Sequence, residues 1–208
     1  MKMMVLGATG GTGLEIVSQA IERGHSVTAF VRAPDTLRRF GDRINVIQGN
    51  LLSSSELQRV LQDHDAVLSG FGPRLPVSKA DATLLQRFAI ALTRGMVQAG
   101  IRRVVIESTA FLFKDSIIPP THLIGRLFFP GVVRDADEME NVFRKSELDW
   151  TIVRPPRLTH KARTGEYRVR EGHLPRFGFA ISRADVADFM IRAGENHALI
   201  GKVIGVSD

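Results

Sequence analysis

Met3-Met4-Val5-Leu6-Gly7-Ala8-Thr9-Gly10-Gly11-Thr12-Gly13-Leu14 decides the fold. Met3–Leu6 is a short apolar run that reads as a buried strand, and after the glycines Leu14, Val17 and Ile21 recur at helical spacing until Gly24. Periodicity therefore switches from strand to helix across residues 7–13. Gly7 supplies backbone angles closed to other residues at the tight turn. Gly10, without a Cβ, lets a pyrophosphate approach the backbone, and Gly13 lets the helix pack hard on the strand. The N–H groups opening the helix then meet the phosphate charge. Gly7, Ala8, Thr9, Gly10, Gly11, Thr12 and Gly13 are accordingly candidate cofactor-binding residues. A turn with no ligand is the alternative, but the strand before and the helix after form the context a dinucleotide site requires.

Outward from this turn the pattern repeats. Ser26–Val31, Ile44–Gln48, Ala66–Ser69, Arg102–Glu107 and Trp150–Arg154 read as strands, with Val203–Val206 as a further one. Ser53-x-x-Glu56 is a capping box opening a helix to Leu61, and Ser182-x-x-Asp185 opens the last helix. An amphipathic helix is expected from about Ala80 to Ala99, with Leu84, Leu85, Phe88 and Leu92 inward and Gly100 as its stop. The acidic run Asp135, Asp137, Glu138 and Glu140 suits the first turns of another helix, where the dipole favours carboxylates. Strands alternating with helices predict right-handed crossovers and a parallel sheet covered on both faces. The expected fold is α/β, a doubly wound parallel sheet (Rossmann fold), in one domain over residues 1–208. Segments at about 108–134 and 154–182 form its substrate side.

Composition narrows the function. Hydrophobic residues make up 44% and charged residues 24% of 208, the balance of a globular chain. There is no cysteine, which excludes disulfides, thiolate metal sites and a cysteine nucleophile and suits a reducing cytoplasm. No secretory leader or membrane-length apolar run is legible. The six histidines are scattered without metal-ligand spacing, so no metal is expected. Much of the net charge of +6 falls between Thr151 and Ala180, where Arg154, Arg157, Lys161, Arg163, Arg168, Arg170 and Arg176 face only Glu166 and Glu171. This is either a solvated surface or an electropositive rim for an anionic small ligand. No nucleic-acid motif accompanies it.

The end of the second strand bears on the choice of cofactor. An NAD site usually places Asp or Glu there, whereas this chain has Arg32, with Arg38 and Arg39 nearby. A guanidinium pairs with a 2′-phosphate, so NADP(H) is the expected cofactor.

Several motifs together carry a family resemblance: the glycine turn, Gly49-Asn50-Leu51, Asp65-Ala66-Val67, Ala110-Phe111-Leu112, Pro119-Pro120, Arg154-Pro155-Pro156 and Thr164-Gly165-x-Tyr167. With these the chain resembles, nearly end to end, the atypical short-chain dehydrogenase/reductases with NmrA-like domains, in particular the flavin reductase (NADPH) or biliverdin reductase B type. The resemblance implies that Asn50 and Leu51 face the adenine, although Asp is common in the family at position 50. It implies that Phe71 and Gly72 line the cofactor and that Thr109, Ser in the flavin-reductase type, sits beside the nicotinamide with Ala110 and Phe111. Pro155, Pro156 and Arg157 would border nicotinamide and substrate, so Thr109 is the catalytic candidate and Phe111 and Arg157 the substrate candidates. The family has His where this chain has Arg157, and its other active-site His falls near Ala136.

The Tyr-x-x-x-Lys pair of ordinary short-chain dehydrogenases is missing, since the single tyrosine, Tyr167, is followed four residues on by Glu171. Carbonyl reduction by that pair is therefore not expected. Reduction of a planar conjugated acceptor asks less of the protein, because orienting two flat rings does most of the work. The apolar connection from Phe111 to Val133, including Ile117, Ile118, Leu123, Leu127 and Phe128, is read either as core or dimer packing or as a lid over such an acceptor. Two functions follow: an NADPH-dependent reductase of a flavin, quinone or similar acceptor, and a non-catalytic NADP-binding sensor or regulator.

Overall fold

The structure, a computed structural model, describes residues 1–73, 82–116 and 120–208. Apolar runs that must bury both faces form the centre of the sheet. The strands are β1 (Lys2–Leu6), β2 (Ser26–Val31), β3 (Asn45–Gln48), β4 (Ala66–Ser69), β5 (Arg103–Glu107), β6 (Asp149–Arg154), β7 (Arg157–Thr159), β8 (Arg168–Glu171), β9 (Ala180–Ser182) and β10 (Lys202–Ser207). The helices are α1 (Gly11–Glu22), α2 (Ser54–Leu61), α3 (Leu84–Ala99), α4 (Thr121–Phe128), α5 (Pro130–Arg144) and α6 (Arg183–Glu195). The main sheet runs β3-β2-β1-β4-β5-β6-β10-β8, so the strand order reverses beside β1 and creates a crevice at its carboxyl end. One face packs Ile16, Val17 and Ala20 of α1 with Val186, Met190 and Ile191 of α6. The other packs Leu57 of α2, Phe88 and Leu92 of α3, and Met139 and Phe143 of α5.

The expected all-parallel sheet needs one correction: β8 pairs antiparallel with β10 at the edge. Every residue of β8 is exposed, so Arg168–Glu171 carries no alternating or continuous apolar signal. The short ribbon of β7 with β9 was equally invisible, each strand being three residues long. Helix α3 begins at Leu84, later than the expected Ala80, which lies outside the described residues along with Asp81. Gly100, at φ +75°, ends it as expected.

A second correction concerns the acidic run. Helix α5 starts at Pro130, whose ring fixes the first-turn φ and needs no hydrogen-bond partner, so the acids sit in mid-helix. Asp135 still serves a helix N-terminus, but that of α3: its carboxylate accepts from Leu85 N at 2.9 Å and Gln86 N at 3.0 Å. Glu140 is fully buried and accepts from Arg154 Nε at 2.9 Å and Nη2 at 2.6 Å, from Ser108 Oγ at 2.6 Å and from Arg144 Nη2 at 2.6 Å. The anticipated cap at Ser182 forms, its Oγ accepting from Asp185 N at 2.9 Å. Only half the box at Ser53 forms: its hydroxyl accepts from Glu56 N, while Glu56 turns away to accept from Asn50 N at 2.9 Å.

Candidate active site

A cleft of about 810 Å³ follows the carboxyl edge of β1, β2, β4 and β5. At its centre the glycine turn is built under close steric limits. Gly7 has φ +71°, and a Cβ on Gly13 would stand 2.1 Å from Gly7 O, so α1 reaches this strand only with glycine at 13. Gly10 N donates to Gly7 O at 2.9 Å, which closes the turn. No side chain caps α1, whose N-cap is Gly10, so its opening N–H groups remain directed at the cleft. A Cβ on Gly10 would meet only Gly7 O at 3.3 Å and Gly70 O at 3.9 Å, and Gly72 has nothing within 4 Å. This is a cradle shaped for an anionic group close to the backbone, and the residues present fit a dinucleotide pyrophosphate.

Gly7, Thr9, Gly10, Gly11 and Thr12 line the cleft, whereas Ala8 and Gly13 lie behind it. On the β2–β3 side Arg32, Asn50 and Leu51 line it, and Phe71 and Gly72 do so after β4. Arg32 is exposed, and its carbonyl accepts from Gln48 Nε2 at 3.0 Å. Of the two arginines nearby, Arg38 pairs with Asp35 at 2.9 Å and Arg39 lies over the Phe40 ring. Asn50 Oδ1 accepts from Leu52 N at 3.0 Å, fixing the turn after β3.

On the β5 side Thr109 lines the cleft, and its oxygen accepts from Phe111 N at 3.2 Å, which leaves the hydroxyl proton to donate. Ala110, Phe111, Pro155, Pro156 and Arg157 are outside the lining. Buried Pro155 acts through its carbonyl, which accepts from Ala110 N at 3.0 Å and continues the β5–β6 pairing towards Thr109. Phe111 stacks on Phe129 at 5.6 Å and packs on Gly125. Arg157 is exposed on β7. The apolar connection is thus divided. Val132 reaches the cleft, Phe113 is buried, Leu127 and Phe128 are exposed, and Ile117, Ile118 and Pro119 lie outside the described residues.

The basic segment does not gather at the cleft. Arg154 is buried against Glu140, Arg163 reaches Gln19 and Glu22, and Arg168 holds the carbonyls of Arg176 and Asp208. Among the described residues the cations that line the cleft are Arg32 and Arg183. Arg183, which opens α6, was not singled out from sequence. A Cβ on Gly11 would stand 2.5 Å from its Cδ, so its stem lies across the glycine turn. Its Nη1 donates to Thr159 O at 3.4 Å and is 3.3 Å from His160 Nε2.

Glu107 was also missed. It ends β5 on the floor of the cleft, and its Oε1 accepts from Thr12 Oγ1 at 3.3 Å. Burial pushes its carboxyl up to about 7, against the lowering effects of the Thr12 hydroxyl and Arg183. An acid at the end of Val104-Val105-Ile106, where a buried strand needs none, was the signal available in the sequence. Tyr167 stands apart from the cleft. Its hydroxyl donates to Asp188 Oδ2 at 2.7 Å, its ring meets Phe189 edge-on, and burial with the Asp188 contact drives its pKa well above the ordinary value.

A phosphate cradle at the switch point of a doubly wound sheet defines a nucleotide-binding Rossmann domain. The chain belongs to the NAD(P)H-binding family, which it matches over residues 7–197, and NAD(P)H is its cofactor. An uncharacterized chloroplastic protein of Arabidopsis thaliana is 28% identical over 201 residues, covering 92% of this chain and 71% of its own length. A short-chain dehydrogenase/reductase of Veillonella parvula, solved in complex with NADP, superposes with a TM-score of 0.81 at 17% identity over 100% of this chain and 94% of its own. The anaerobilin reductase ChuY of Escherichia coli O157:H7 superposes with a TM-score of 0.81 at 20% identity, over 100% and 97% of the two chains. Among the described residues no helix is long and apolar enough to cross a membrane.

Proposed function

We propose that this protein is an NADPH-dependent reductase of a planar conjugated acceptor such as a flavin, a quinone or a tetrapyrrole. The observation that carries the reading is the composition of the cleft's two halves. One half has the anion cradle and Arg32, and the other is walled by Leu84, Leu85, Val132, Ala136 and Leu158 with the hydroxyls of Ser108, which donates to Glu140, and Thr109. Apolar walls with a few polar contacts suit a flat ring system laid against a nicotinamide. The chain's one tyrosine is held at Asp188, so no tyrosine is available to protonate a carbonyl oxygen in the cleft. When bound, NADPH would supply the hydride that reduces the acceptor and would itself be oxidised to NADP+, with a proton from solvent completing the reduction. The protein's part is orientation: the glycine turn would anchor the phosphates, Arg32 would pair with the 2′-phosphate, and Thr109 would position the ring edge. The reductase activity of ChuY belongs to that protein, but it is a precedent for this chemistry on the same fold.

The test is NADPH oxidation followed at 340 nm with FMN, FAD, quinones and biliverdin, beside simple aliphatic ketones. Turnover with planar acceptors and none with aliphatic ketones supports the reading. Tight NADPH binding with no oxidation by any acceptor refutes it in favour of a non-catalytic sensor.

A further inference from the structure

Glu107 places a carboxyl group inside an anion site. Its Oε1 accepts from Thr12 Oγ1 at 3.3 Å, and Thr12 belongs to the first turn of α1. On the other side, a Cβ on Gly70 would lie 3.3 Å from both Glu107 Oε2 and Gly13 N. The carboxyl and the opening amides of α1 are thus separated by one glycine. Glu107, Gly10, Gly11 and Thr12 all line the same cleft, so a pyrophosphate on the glycine turn stands beside this side chain.

From these contacts we infer that Glu107 is a proton-accepting residue of the cofactor site, taking up one proton when the dinucleotide binds and holding it while the cofactor is bound. The inference rests on the dinucleotide assignment of the cleft and is independent of which acceptor is reduced. Two anions cannot share a partly enclosed site without a counter-charge, and the carboxyl is the one that can be neutralised. Among the described residues the groups facing it are few. Thr12 of α1 and the backbone of Gly70 are neutral, as is Val153, its register partner on β6. Arg183 of α6 is the facing charge, and His160 lies behind it at 3.3 Å from its Nη1. In the free protein Arg183 favours the carboxylate. A bound pyrophosphate competes for the same guanidinium and adds its own repulsion, and both effects favour the neutral acid. Once protonated, Glu107 becomes a donor that can be shared with a phosphate oxygen, whereas the carboxylate is an acceptor only.

With the free carboxyl titrating at about 7, uptake is small at pH 6 and approaches one proton at pH 8. Above pH 7 the 2′-phosphate is already largely ionised, its second pKa being about 6, so it adds little to the linkage. If the bound state stays protonated, NADPH affinity falls roughly 50-fold from pH 7 to pH 9. Calorimetric titration of the full chain with NADPH at pH 8, in two buffers of different ionisation enthalpy, reads the uptake directly. The expected result is close to one proton in the wild type and close to none in Glu107→Gln or Glu107→Met, with affinities in both variants flat across pH 7–9. The wild-type uptake and pH profile are measurable even if neither variant folds. Binding without uptake, or the same uptake in a folded variant, overturns the inference and leaves the cleft's assignment intact. No binding at any pH overturns both.

Discussion

Glu140→Gln is the perturbation that most sharply separates a structural ion pair from a surface charge. Glu140 is fully buried and Arg154 is 6% exposed. The carboxylate accepts from both Nε and Nη2 of Arg154, from Ser108 and from Arg144. An amide in its place turns an NH2 group towards donors and removes the counter-charge, leaving a buried guanidinium unpaired over the Phe113 ring. Loss of one partner of a buried pair costs about 3–5 kcal/mol. For a domain of this size each kcal/mol moves Tm by roughly 2–4 °C, so a fall of about 6–20 °C is expected. Urea unfolding followed by circular dichroism measures the loss. Glu140→Leu and Arg154→Met should each be similarly harmful alone, and the double variant Glu140→Leu/Arg154→Met should lose far less than these two single losses added together. A Glu140→Gln protein within about 1 kcal/mol of wild type, or additive single losses, refutes the reasoning.

Arg32→Ala should weaken NADPH binding roughly tenfold or more while leaving NADH unchanged, because a charged hydrogen bond contributes about 1.5–3 kcal/mol; equal wild-type affinities for the two cofactors would remove the basis for the prediction. Asp135→Ala should cost about 1–2 kcal/mol through loss of the α3 cap, read by chemical denaturation, and should weaken acceptor binding because Leu85 and Ala136 wall the cleft. Glu107 also shapes the pH dependence of stability. Its folded value of about 7 exceeds the 4.5 of an ordinary glutamate, so its contribution is fully present below about pH 4.5 and lost as pH rises through 7. Thermal unfolding should therefore find Glu107→Gln more stable than wild type at pH 8, by at most about 3 kcal/mol, with no such advantage at pH 4.

The central strands were legible because strands buried on both faces read as uninterrupted apolar runs, and Met3–Leu6 with the glycines after it pointed to the turn that lines the cleft. Strand β8 was not legible, since an exposed edge strand of alternating arginines has no pattern distinct from a loop. The acidic run was assigned to the wrong part of its own helix. The dipole argument correctly held that a carboxylate seeks a helix N-terminus, but only tertiary packing reveals that Asp135 serves α3. Arg154 was grouped with surface cations because its partner lies 14 residues earlier, and counting charges along a segment cannot detect a buried pair. Arg183 escaped notice for a similar reason: it meets the glycine turn only because α6 packs beside α1.

The account depends on the glycine turn being the phosphate cradle, and NADPH fluorescence titration of wild type beside Gly10→Val tests this most directly. A first side-chain carbon at position 10 would stand 3.3 Å from Gly7 O, a tight contact that asks the turn to give by a few tenths of an ångström on a backbone already extended, so the variant should fold, while its methyl groups occupy the space of the pyrophosphate. The expected result is saturable binding of one NADPH per wild-type chain and none in a variant with a native circular dichroism spectrum. A natively folded Gly10→Val that binds NADPH with unchanged affinity would contradict the account.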